Sequence, residues 1–112
     1  MESILTSIKK LLGPTEDYDH FDADIIFHIN TQFSNLNQLG VGSSEGFRIV
    51  DATEIWTDYI PDNPVLVEMV KSYVYLKVKL LFDPPTSSAV LASMEREAEK
   101  LEWRINKEAE SK

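Results

Sequence analysis

Apolar residues at positions 4, 5, 8, 11 and 12 recur at the three-and-four spacing of one helix face and predict a first helix over residues 2–12. Lys9 and Lys10 interrupt that face, and Gly13-Pro14 supplies the stop. After an acidic linker, residues 15–20, the periodicity resumes. Ile25, Ile26, Ile29, Phe33, Leu36 and Leu39 form one stripe, with Asn30, Gln32, Asn35, Asn37 and Gln38 on the other face. This predicts a second helix over 22–39, N-capped by Asp22 and ended by Gly40. Residues 40–46 read as a glycine-containing loop. The alternation in Phe47-Arg-Ile-Val50 admits a short strand or a small β-hairpin near residues 40–50. Asp51 then predicts the cap of a short third helix over 52–60, holding Trp56 and Tyr59 and closed by Pro61-Asp-Asn-Pro64.

Residues 64–82 are the most hydrophobic stretch. Asn63 as N-cap and Pro64 in the first helical position start a fourth helix, and Asp83-Pro-Pro85 breaks it. Being apolar on most sides, it is expected to run through the centre of the core. In the last helix, over 87–109, Leu91, Met94, Ala98, Leu101 and Ile105 make a narrow seam, with Glu95, Arg96, Glu97, Glu99, Lys100 and Glu102 outside it. No internal repeat or low-complexity tract breaks the series. The expectation is an all-α fold of about five helices around the central hydrophobic one, with room for a small β element, in one domain over residues 1–112.

Composition narrows the functions. The 112 residues include 19 acidic and 11 basic side chains, a net charge of −8. Sequence-independent attraction to phosphates and to anionic membranes needs clustered Lys and Arg, so both are disfavoured. A bilayer span over 64–82 is expensive because Glu68, Lys71, Lys77 and Lys79 fall within it. The N-terminal apolar positions lack the charge-then-apolar order of a signal peptide. With no cysteine, disulfide scaffolds, thiolate nucleophiles and Cys-ligated zinc are excluded.

Four candidates for chemistry are weak. Asp24 and His28 stand four apart and would share a helix face as two metal ligands, but a zinc or iron site needs a third. A calcium loop counted from Asp17 puts Asp22 where glycine is needed and His28 where a bidentate Glu is required. The simpler reading is a solvated acidic linker at a helix N-terminus, where the dipole favours carboxylates. Gly40, Gly42 and Gly46 lack the Lys-Ser/Thr pair and the following helix of a phosphate loop. Nothing resembles a nucleophile elbow for a Ser–His–Asp set.

Trp103 falls off the last helix's seam, next to Arg104. Two readings stand: contact with another chain, since Trp and Arg are enriched in binding hot spots, or a wider stripe that packs Trp103 inside the domain.

The order of these pieces resembles the head–tail connector, or head-completion adaptor, proteins of long-tailed bacteriophages. The resemblance is carried by Leu11-Leu-Gly13, His28-Ile-Asn30, Leu36-Asn-Gln-Leu-Gly40-Val41, the stretch from Phe47 to Trp56, the hydrophobic helix from Pro64, Phe82-Asp-Pro-Pro-Thr86 and Leu101-Glu-Trp-Arg104. It covers nearly the whole chain. It implies a structural virion protein with no catalytic activity and no cofactor, made in the bacterial host cytoplasm and located at the head–tail junction. Its partners would be further copies in a ring of about twelve subunits, the portal, and a tail-side head-completion or stopper protein. DNA would pass through without sequence-specific binding, and no membrane is involved. The last helix would contact the portal. Residues expected at partner contacts are Leu101, Trp103 and Arg104, with Phe47 and Ile49 from the strand-like segment as a second patch. An acidic regulatory protein that occupies a partner's basic surface is the alternative, motivated by the carboxylates at 16–24 and 95–102.

Overall fold

A computed structural model describes residues 2–13 and 19–110, which contain five helices. They are α1 (Ile4–Leu12), α2 (Asp22–Gln38), α3 (Trp56–Tyr59), α4 (Pro64–Phe82) and α5 (Ser88–Glu110). The fold is all-α. Pro14 and residues 15–18 of the expected acidic linker lie outside the described residues.

Local chemistry sets most of the boundaries. Ser3 caps α1 by accepting from the Thr6 N–H, and Gly13 closes it at φ 120°, a left-handed value that favours glycine. Asn63 caps α4 by accepting from the Leu66 N–H, with Pro64 following in the first turn. Ser87 accepts from the Val90 N–H where α5 begins. Two expected caps act differently. Asp22 lies inside the first turn of α2 behind Phe21, and its carboxylate binds Lys9 at 2.7 Å. Asp51 accepts from the Thr53 N–H and hydroxyl in a turn, so α3 starts only at Trp56.

α4 packs against α1, α2 and α5 and is the centre of the core. Tyr73, Val70, Val74 and Val78 on α4 meet Ile25, Ile29, Phe33 and Leu36 of α2, Ile4 and Ile8 of α1, and Leu101 and Ile105 of α5. Asn63 donates to Glu108 and Tyr73 to Glu102, so early α4 lies beside late α5 and the two form an antiparallel hairpin. Trp56 is pinned by its indole N–H donating to the buried Ser7 hydroxyl at 2.8 Å.

The expected β-hairpin near residues 40–50 does not form. Among the described residues the β pairing is a single bridge, Ser3 to Ile55. The reason lies on the polar face of α2. Asn30 accepts from the Ile49 N–H at 2.8 Å and donates to its carbonyl at 2.9 Å, taking both groups a neighbouring strand would use. Asn37, two turns on, donates to the Ser43 carbonyl. Glu54 accepts from the Val50 and Asp51 N–H groups. Residues 41–50 therefore run along α2, strapped by side chains. Gly42, at φ 79°, passes so close to Tyr59 that a Cβ would sit 2.9 Å from its ring.

Candidate interaction surface

α5 has three described residues with little exposure, Ala98, Leu101 and Ile105, so most of its surface faces outward. Trp103 is 64% exposed, and across the hairpin Val65 on α4 is 61% exposed. The two line a shallow depression with Met69, Arg104, Lys107 and Glu108. The Lys107 ammonium stands 5.6 Å from the centre of the Trp103 ring, a cation–π distance. Trp103 therefore points outward and is not packed inside the domain.

Leu101 is 4% exposed and belongs to the core, and Arg104 is exposed beside Trp103. Phe47 is half-buried, stacked on Tyr59 with ring centres 5.0 Å apart and edge-on to Phe33. Ile49 is fully buried under the Asn30 clasp. Of the five expected contact residues, the structure thus brings Trp103 and Arg104 together at the surface and gives Leu101 and Ile49 to the core. On the strand-like segment the outward side chains are Arg48 and Val50, with Arg48 in a shallow groove that also holds Phe27 of α2. Phe27 is 68% exposed and lies off the α2 stripe; an aromatic residue on a polar face is the signal that marks it.

The opposite side of the hairpin carries a second groove between α2, α4 and α5. Its apolar wall is Leu80, Leu81, Leu91 and Ala98, and Glu95, Glu99 and Glu102 of α5 edge it. Glu102 accepts from the Tyr73 hydroxyl at 3.2 Å. Burial, then the charge and hydrogen bond of Glu102, push the Tyr73 phenol up to about 12. Elsewhere, Lys10 chiefly, with Lys71, holds the Glu2 carboxyl below its ordinary value.

The His and Asp candidates are not gathered into a site. Asp24 is exposed, and His28 is half-buried with its ring 6.5 Å from that of Phe82. Among the described residues no three His, Cys, Asp or Glu side chains converge as metal ligands, and no helix is long and apolar enough to cross a membrane.

An all-α protein whose exposed aromatic and aliphatic side chains stand on helix faces has the form of an assembly module. The family model described as phage connector protein matches residues 4–112, and the chain belongs to that family. Membership gives it a structural role in the phage particle, in company with other head and tail proteins, and not a catalytic one. Searches of curated proteins and of solved structures find no match.

Proposed function

We propose that the chain is the subunit of a ring at the head–tail junction of a tailed bacteriophage. Copies close beneath the portal, continue the DNA channel and offer a surface to the next tail-side protein. Beyond family membership, one observation carries this reading. The α4–α5 hairpin presents two unlike apolar patches on opposite sides, Val65 with Trp103 on one and Leu81 with Leu91 on the other. A closed ring of identical subunits is built from heterologous contacts, and these need two different patches on each subunit. The net charge of −8 agrees with the reading, because a negative lumen repels DNA phosphates and avoids tight binding that would stall passage.

Light scattering across a wide concentration range, with negative-stain images of the same samples, tests it. Rings of about a dozen copies are expected, alone or on addition of the portal. A monomer under both conditions would overturn the proposal, and tight, salt-sensitive one-to-one binding to a basic partner would favour an inhibitor instead.

A further inference from the structure

Seven of the ten charges of α5 are sorted by side, and Glu97, Glu108 and Glu110 fall outside the sorting, Glu108 beside Trp103. Glu95, Glu99 and Glu102 edge the groove beside Leu81 and Leu91. Arg96, Lys100, Arg104 and Lys107 recur at steps of four, four and three, so they share another side of the helix, the one that holds Trp103. Three of the four charged pairs that stand four apart in α5 are consequently like, Glu95 with Glu99, Arg96 with Lys100, and Lys100 with Arg104, and one, Arg104 with Glu108, is opposite. Like pairs repel, whereas a helix built only to be solvated gains from opposite charges at that spacing. Glu95, Arg96, Glu99, Lys100 and Arg104 form no ion pair with any described residue. Within α5 Lys107 pairs with Glu110 at 3.9 Å, while these five charges are left to solvent on an acidic flank and a basic, aromatic flank.

These flanks complement each other. They lie on different sides of one helix, so a subunit cannot bring its own together, but a neighbouring copy can. Two copies each carrying −8 repel in general, so self-association requires a place where opposite charges meet locally. Trp103 supplies the apolar anchor, with Lys107 already over its ring. The opposing groove supplies an apolar wall and, against the one lysine of its lining, Lys77, three carboxylates for the basic side chains around the indole.

We propose that Trp103, with Arg104 and Lys107, of one subunit seats in the Glu95–Glu99–Glu102 groove of the next copy. The contact is head-to-tail: each subunit uses one flank in each direction, so it propagates and a ring closes it. This inference rests on the ring reading above and names the surfaces that make the ring.

Two charge-reversed chains test it, Glu95→Lys/Glu99→Lys and Arg104→Glu/Lys107→Glu, each checked for retained helicity by circular dichroism. Either alone is expected to raise the concentration for half-assembly more than about tenfold. An equimolar mixture is expected to restore assembly, because each altered flank then meets a complementary one. Assembly of either variant at wild-type concentrations, or a folded mixture that stays apart, would overturn the contact.

Weak association is read by cross-linking, since the wild-type chain has no cysteine. A Glu99→Cys/Arg104→Cys chain treated with a bis-maleimide is expected to give a ladder of oligomers, and each single variant dimers at most. Wild-type rings with no ladder and unaffected charge variants would overturn this contact and leave the ring reading standing. No rings and no ladder would overturn both. Groove reversal that spares self-assembly and stops docking to the portal would assign the groove to the portal and overturn the self-contact.

Discussion

Asn30 shows how one side chain decides the path of a loop. Its amide is both donor and acceptor, so it imitates a strand edge and closes two bonds to Ile49. Asn30→Ala would leave that N–H and carbonyl part-buried and unpaired, at a cost of about 1–3 kcal/mol. Urea unfolding should show this loss, with faster amide hydrogen exchange concentrated in residues 41–50. Tyr73 makes a different statement, about pH. Its phenol is raised from 10.0 to about 12 in the folded chain, so the fold favours the neutral form. That contribution is complete below the unfolded value and is lost as pH rises from about 10 to about 12. Tyr59 is raised by burial and acts in the same direction. Tyr73→Phe should therefore soften the alkaline decline without abolishing it. Urea midpoints at about pH 9 and about pH 11 check this; an unchanged decline would refute it.

Among the elements, the α4–α5 hairpin ties core to surface. Asn63 caps α4 through Oδ1 and reaches Glu108 of α5 through Nδ2. Asn63→Ala removes both and should cost about 1–2 kcal/mol, read as a lower urea midpoint. The neighbours Leu101 and Trp103 separate stability from assembly. At 4% exposure, Leu101→Asp buries an unpaired charge and should destabilise the subunit by about 3 kcal/mol or more. At 64% exposure, Trp103→Ala should shift stability by no more than about 0.5 kcal/mol. Its effect should fall instead on oligomer mass in light scattering, with helicity preserved. Loss of helicity in the Trp103 variant would mean that the ring contributes to the fold. The salt bridge of Lys9 to Asp22 works at this scale too, holding α1 to the first turn of α2.

For the molecule as a whole, sequence and structure divide the decisions by range. The central helix was legible to the residue, α4 running Pro64–Phe82, because proline at both limits and an asparagine cap act within a few residues of themselves. The Ala98, Leu101 and Ile105 part of the α5 seam was legible for the same reason, since helical periodicity is local, whereas Leu91 and Met94 stay half-exposed. The order of pieces that resembles the connector family was legible too. What only the tertiary structure decided involves residues distant in the chain. Asn30 and Ile49, 19 positions apart, replaced a hairpin with a strap. Lys9 drew Asp22 from its expected role as a cap. Leu101 turned inward and Trp103 outward because α4 covers one side of α5 and leaves the others open. The charges of α5 could be counted in the sequence, but that they edge a groove on one side and surround a tryptophan on another follows from where α2 and α4 pack. Local patterns specify helices and their ends; which helix faces remain uncovered depends on what packs against them, and that is settled only when the chain has folded.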